Sequence, residues 1–132
     1  MTYLLDTNTC IRYLNAQSNS IRRRFESLTA ESLAVCSVVR AELIFGAMKS
    51  ERVAANLKRT QAFLAGLSSF PFDDLAADIY GQIRADLKGK GTPIGPNDLL
   101  IAAIARARDL TLVTHNLKEF KRVEGLRFED WE

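Results

Sequence analysis

Three carboxylates stand where the sequence pattern would place apolar or helix-capping residues. Asp6 ends the apolar run YLL, Glu42 lies inside the mostly apolar segment VVRAELIFGAM, and Asp98 opens the apolar stretch DLLIAAIA. Each has an ordinary structural explanation: a helix cap for Asp6, a first-turn position for Asp98 and a solvated stripe for Glu42. If they share one pocket, however, they repel one another strongly, and a bound cation removes that penalty.

Carboxylate oxygens are ligands that hard cations such as Mg²⁺ or Mn²⁺ prefer. Such an ion lowers the pKa of a bound water and neutralises charge on a phosphoryl group. We therefore predict a metal site formed by Asp6, Glu42 and Asp98. The chemistry that fits it is hydrolysis of a phosphodiester by a metal-activated water, which leaves a 5′-phosphate and a 3′-hydroxyl.

The elements that position these acids alternate between short apolar runs and helical patterns. The predicted strands are Tyr3 to Leu5, Leu33 to Cys36, Ser69 to Phe72, Leu110 to Val113 and Leu126 to Phe128. The predicted helices are Asn8 to Asn15, Ile21 to Leu28, Val38 to Met48 with Ser37 as its cap, Arg52 to Leu67, Leu75 to Leu87, Asp98 to Ala107, and a short helix from Asn116. This alternation predicts an α/β fold whose parallel sheet is covered on both faces.

In a parallel sheet of this kind, ligands bind beyond the carboxyl ends of the strands. Asp6 follows the first predicted strand, Ser37 follows the second, and Thr114 to Asn116 follow the strand Leu110 to Val113. The sequence thus predicts that the first acid and the polar segment THN lie at the same edge of the sheet.

Bulk properties set broader limits. A length of 132 residues favours one domain, residues 1–132, and a net charge of +2 is compatible with a nucleic-acid partner without requiring one. The two cysteines lie in apolar surroundings, and no window resembles a signal peptide or a membrane span. These features predict a cytoplasmic protein with no membrane association.

Four motifs, LLDTNTCI, SVVRAELIFGA, GPNDLLIAAIA and LVTHNLKEF, occur in an order and spacing that resemble the PIN-domain nucleases. Among these, the chain is most similar to the VapC toxins of type II toxin–antitoxin pairs. The resemblance implies a three-layer α/β/α sandwich with a central, mostly parallel sheet and a Mg²⁺-dependent endoribonuclease activity. It also implies a VapB-type antitoxin, a homodimer and a structured RNA substrate, tRNA above all.

Carried over by motif, Asp6, Glu42 and Asp98 match the metal-binding acids of the family. Thr114 matches a hydroxyl position, and Asn116 falls where many members have a fourth acid. An amide is neutral and holds a cation less tightly than a carboxylate does. Two interpretations of Asn116 stay open: it positions water or phosphate together with Thr114, or it caps the next helix in a capping box with Glu119.

Two other functions fit parts of the sequence. The run LLDTNT touches the haloacid-dehalogenase phosphatase signature, but Asn8 replaces the second acid and little chain remains for the other motifs. The rival from a different class is a non-cleaving module that binds RNA or an antitoxin through its basic clusters. Loss of cleavage in EDTA, restored by Mg²⁺, separates the nuclease from that module. The single histidine, His115, is predicted to lie in an exposed loop near the site.

Overall fold

Five short strands form one all-parallel sheet in a computed structural model that describes every residue from Met1 to Glu132. The strands are β1 (Tyr3–Leu5), β2 (Leu33–Cys36), β3 (Ser68–Phe70), β4 (Thr111–Val113) and β5 (Arg127–Glu129). Their spatial order is β3-β2-β1-β4-β5, and every neighbouring pair is parallel. The first strand of the chain is therefore the central strand of the sheet.

Seven helices connect and cover these strands. They are α1 (Thr7–Leu14), α2 (Asn19–Glu26), α3 (Ser37–Met48), α4 (Val53–Ala65), α5 (Asp74–Gly89), α6 (Pro96–Ala107) and α7 (Leu117–Phe120). Helices α1 to α4 form one set of neighbours, and α5 packs along α6. Because crossover connections are right-handed, a chain that runs from β1 to β3 and then returns to β4 and β5 covers both faces of its sheet. This architecture confirms the predicted α/β fold.

The reversal of direction creates a switch point between β1 and β4. The chain moves from β1 to β2 and β3 on one side, whereas β4 and β5 lie on the other side of β1. Connections that leave in opposite directions open a crevice at the carboxyl ends of the two strands, where ligands of such sheets bind. The residues that follow β1 and β4, Asp6 and Thr114, therefore lie at this crevice.

Helix α6 is the most deeply buried helix. Its residues Ile101 to Ala105 are at most 1% exposed, because the run IAAIA is apolar on all sides. The alanines among them allow close approach of neighbouring elements. This burial fixes the first turn of α6, which carries Asp98, at the rim of the core.

The structure changes some predicted boundaries. Ser37 is not the cap of α3 but its first residue, since β2 passes directly into the helix and Cys36 takes the cap position without a side-chain hydrogen bond. Helix α6 begins at Pro96, two residues before its predicted start, because proline is well suited to the first turn of a helix. Strand β3 ends before Pro71, which has no N–H for the sheet. No helix has the length and apolar character that a membrane span needs.

Candidate active site

Asp6 is held at the junction of β1 and α1. Its backbone N–H donates to the carbonyl of Val113 on β4 (3.1 Å), and its Oδ1 accepts from the N–H of Thr9 (2.9 Å). The helix-cap explanation is therefore correct for one carboxylate oxygen. Asp6 is only 7% exposed, yet it also lines the open cleft beyond the sheet edge, so the cap does not exclude a second use.

Glu42 reaches the same region from α3. The hydroxyl of Thr7, the first residue of α1, donates to Glu42 Oε1 at 2.7 Å. Because α1 packs against α3, this hydrogen bond fixes the Glu42 carboxylate next to the start of α1, close to Asp6. Glu42 thus does not lie on a free solvated stripe.

Asp98 and Glu119 are joined through Asn116. The Asn116 amide Nδ2 donates to Glu119 Oε2 (2.8 Å) and to Asp98 Oδ2 (3.3 Å). Gly95 is close to both acids: a Cβ there would lie 3.5 Å from Asp98 Oδ2 and 4.0 Å from Glu119 Oε2. Helix α7 therefore brings a fourth carboxylate to the three that were expected.

The electrostatics show that the four carboxylates share one environment. Burial, together with a hydrogen bond to Glu119 and the charges of Glu119, Asp6 and Glu42, raises the pKa of Asp98 to about 7. Burial also raises the pKa of Asp6, although hydrogen bonds from Thr114 and Thr9 oppose it. The pKa of Glu119 is lowered, chiefly by its hydrogen bond to Asp98. Four acids that interact in this way fit a site built for a cation.

Glu119 is the residue that the sequence interpretation missed, because it was assigned to a capping box. No such box forms: the Asn116 side chain accepts no hydrogen bond from a backbone N–H of α7, and the Asn116 backbone N–H donates to Thr114 Oγ1 (3.0 Å) rather than to Glu119. The available signal was the spacing of the motif HNLKEF, in which Asn116 and Glu119 are three residues apart and can face the same partner.

Thr114 is fully buried, so its hydroxyl does not reach solvent or substrate. It accepts from the N–H of Asn116 and forms a hydrogen bond with Asp6 that lowers the pKa of that acid. Through these two hydrogen bonds, Thr114 connects the end of β4 to Asp6 and to Asn116, and it orients both residues.

The open cleft beside Asp6 has a volume of about 720 Å³. It is lined by Asp6, Asn8, Ile11, Arg12, Gln17, His115, Asn116 and Glu132. Acidic and basic groups are mixed in it, and only one lining residue is hydrophobic. A polar, open cleft of this kind suits a hydrated, charged ligand better than an apolar one.

Comparisons with known proteins decide the family. Residues 3–126 match the model of the PIN domain. The chain is 44% identical to the tRNA(fMet)-specific endonuclease VapC of Salmonella typhimurium over 99% of this chain and 98% of that protein. The chain belongs to the VapC family of PIN-domain endoribonucleases. Ribonuclease VapC2 of Rickettsia felis is 41% identical over 100% of this chain and 99% of its own length.

Solved VapBC structures agree with this VapC-family assignment. The chain superposes on a chain of the DNA-bound VapBC complex of Salmonella typhimurium with a TM-score of 0.94 and 43% identity, covering 100% and 99% of the two chains. The corresponding values for VapBC2 of Rickettsia felis are 0.92 and 40%, covering 100% of both chains. The resemblance, the fold class and the prediction of a ribonuclease toxin are thus confirmed. PIN-domain nucleases typically use a metal ion.

Proposed function

We propose that this chain is the toxin of a VapBC pair and cleaves tRNA(fMet) in a Mg²⁺-dependent reaction, with Asp6, Glu42, Asp98 and Glu119 as the residues that hold the metal. The observation that carries the proposal is that these four carboxylates lie close enough to interact: burial first, and then the hydrogen bond to Glu119 and the charges of Glu119, Asp6 and Glu42, raise the pKa of Asp98 to about 7. The substrate is taken from the printed names of the relatives in Salmonella typhimurium and Shigella flexneri, tRNA(fMet)-specific endonucleases at 44% and 43% identity.

The donor set fits a hard cation. All four side chains offer carboxylate oxygens, and the two cysteines of the chain are buried. Asp98 and Glu119 share a hydrogen bond, and the raised pKa of Asp98 beside the lowered pKa of Glu119 makes Asp98 the acid of the pair that binds a proton more readily when no cation is bound. Both must be deprotonated to bind a metal. Mg²⁺, when bound, would polarise a water and neutralise charge on the phosphate.

The neighbouring polar residues act on the acids rather than on the substrate. Thr7 holds Glu42, and Thr114 holds Asp6. The Asn116 side chain donates both of its hydrogen bonds to carboxylates, so we assign it to orienting Asp98 and Glu119 instead of ligating a metal itself. This role differs from both interpretations that the sequence left open, because the Asn116 side chain makes no cap hydrogen bond to α7 and, although it lines the cleft, donates to the two carboxylates.

The proposed reaction is attack of a water on a phosphodiester of the RNA, held over the crevice between β1 and β4. The four acids would hold the cation at that crevice, and basic residues around the cleft would hold the RNA backbone. Hydrolysis by water breaks the P–O3′ bond, so it leaves a 5′-phosphate on one fragment and a 3′-hydroxyl on the other.

The test uses the purified chain, transcripts of tRNA(fMet) and of an elongator tRNA, and sequencing of the cleaved ends. We expect cleavage of tRNA(fMet) in Mg²⁺, none in EDTA, and none by Asp6→Asn. Asp78→Asn is the matched control, since Asp78 is an exposed acid on α5. Cleavage that survives EDTA, or ends that carry a 2′,3′-cyclic phosphate, would contradict the mechanism. RNA binding by the parent chain without any cleavage would support the non-cleaving module instead.

The proposed partner is a VapB-type antitoxin, as in the solved VapBC complexes. Helix α3 exposes two large apolar side chains, Phe45 (64% exposed) and Met48 (54% exposed), on the helix that also carries Glu42. A segment of antitoxin that covers them would lie close to the active site. Phe45→Ala is expected to weaken antitoxin binding without loss of cleavage, measured by calorimetry and by the tRNA assay. The homodimer stays a prediction, which light scattering on the purified chain tests.

A further inference from the structure

His115 lies in the same cleft as the active-site acids but takes no part in holding them. It follows the buried Thr114 and precedes Asn116, and it lines the cleft of about 720 Å³ together with Asp6. Its side chain is 68% exposed, whereas the residues on either side of it in sequence serve the acids. The role proposed above for the four carboxylates therefore leaves His115 unexplained.

The imidazole is held in one orientation by the C-terminal segment. His115 Nδ1 lies 2.8 Å from Asp130 Oδ2 and 3.5 Å from Glu132 Oε2. Asp130 is itself fixed, because its Oδ1 accepts from the N–H of Glu132 (3.0 Å) and the intervening Trp131 is buried against Tyr3. The ring is thus anchored through Nδ1, and Nε2 makes no hydrogen bond within the protein.

The charges around the ring favour its protonated form. Asp130 and Glu132 raise the pKa of His115, and Arg12 on α1 opposes them. Arg12 is engaged through Nε by Glu132 in an ion pair, and its Nη2 donates to the carbonyl of Gln17 (3.4 Å). The Nε2–H of the carboxylate-paired His115 is thus a donor at the cleft that makes no hydrogen bond within the protein.

We propose that His115 is a phosphate-binding residue of the substrate cleft, which donates from Nε2 to a non-bridging oxygen of an RNA phosphate next to the scissile bond. Asp130 and Glu132 position it, and the contact is to the backbone, so it carries no base specificity. The inference rests on the proposed ribonuclease function, since it assigns a part of the same substrate to the same cleft. It breaks no bond and transfers no proton.

The experiment measures kcat and KM for tRNA(fMet) cleavage in Mg²⁺ at several salt concentrations. His115→Gln keeps polarity but loses the cation, and Arg127→Gln is the matched control. Arg127 begins β5 and pairs with Asp109 at the opposite edge of the sheet, so its charge is remote from the cleft. Asp130→Asn, which removes the anchor of the ring, is the third variant.

For His115→Gln we expect KM to rise roughly fivefold to tenfold with kcat within about twofold of the parent, as for loss of one exposed charge-assisted hydrogen bond. The slope of log KM against the logarithm of the salt concentration should fall by about 0.7, which is the value for one phosphate contact on a single strand. Asp130→Asn should show a smaller rise in KM, and Arg127→Gln should match the parent in all three quantities.

Two results overturn the inference while leaving the ribonuclease intact. One is a His115→Gln enzyme with the KM and salt dependence of the parent, which makes the residue structural. The other is a loss confined to kcat, which makes it a proton donor instead. His115→Asn repeats the test if the first variant folds poorly, as judged by its melting temperature. A parent chain that neither binds nor cleaves tRNA(fMet) would instead refute the proposed function and this inference with it.

Discussion

Replacement of Asp98 by asparagine is expected to stabilise the metal-free protein while it abolishes cleavage. The pKa of Asp98 rises from 3.8 to about 7 on folding, so its ionised form is the unfavourable one in the folded state. The folded protein then binds more protons than the unfolded chain between these two values, and stability falls as pH rises through that window. Above about pH 7 the folded protein carries the full free-energy cost of the ionised Asp98, and a neutral asparagine removes that cost.

The size of the effect follows from the same pKa change. A rise from 3.8 to about 7 corresponds to roughly 4 kcal/mol at 1.36 kcal/mol per pKa unit, as an upper limit. Asp98 is only half-buried, the lowered pKa of Glu119 offsets part of the penalty, and an acid in the first turn of α6 gains from the helix dipole. We therefore expect a gain of about 1–2 kcal/mol, or roughly 3–8 °C in Tm for a chain of this length.

The assay is thermal unfolding in EDTA at about pH 8 and about pH 4.5, with parent, Asp98→Asn and Asp78→Asn compared at each pH. The gain in stability of Asp98→Asn over the parent should appear at the higher pH. At the lower pH it should shrink to under about a third of that size, because little of the free-energy cost of ionising Asp98 in the folded state has developed there. Asp78→Asn should match the parent at both. Excess Mg²⁺ at the higher pH should raise the Tm of the parent more than that of Asp98→Asn. A variant that is destabilised at both pH values would refute the view that these acids repel one another in the folded chain.

Three other features of the structure lead to testable expectations. The Mg²⁺ concentration for half-maximal cleavage should rise about tenfold per pH unit below about pH 7, because a proton on Asp98 competes with the metal; Mg²⁺ titrations at several pH values check this. Thr7→Val removes the hydrogen bond to Glu42 and should lower kcat/KM roughly threefold to tenfold with little change in Tm. Thr7→Ser keeps the hydroxyl and should retain activity. Equal kinetics for the two variants would contradict the role of Thr7 in holding Glu42. Trp131→Ala should cost about 3–5 kcal/mol in urea unfolding, since the ring is buried against Tyr3; a change under about 1 kcal/mol would show that the C-terminal segment is not anchored.

Two of the three acids that the sequence revealed lie at the ends of strong local patterns. Asp6 follows an apolar strand, and Asp98 precedes the most apolar helix, so each is placed by the edge of a buried segment. The rule that parallel strands present their carboxyl ends at one edge was then enough to bring Asp6 and Thr114 together. Glu42 stood out because its helix is otherwise largely apolar.

The features that the sequence did not reveal depend on contacts between distant elements. Glu119 joins the cluster because α7 lies over the first turn of α6, and no periodicity in the sequence relates these two helices. The assignment of Ser37 as a cap failed for a local reason, since a serine is equally suited to the position before a helix and to its first turn. The anchoring of His115 by Asp130 likewise requires the path of β5, which returns the last residues to the cleft.

The central place of β1 has a consequence for the time at which this toxin acquires its activity. The strand that carries Asp6 is made first, yet its partner β4 lies at residues 111–113, and the hydrogen bond from Thr9 to Val113 spans 104 residues of chain. Contacts of such high sequence separation require that the entropy of closing a long loop be overcome, which slows folding. A nascent chain that has emerged only as far as α5 therefore has its first carboxylate but no crevice to hold it. The four carboxylates can therefore come together only after nearly the whole chain has been synthesised, since β4 and the helix that carries Glu119 both lie close to its end.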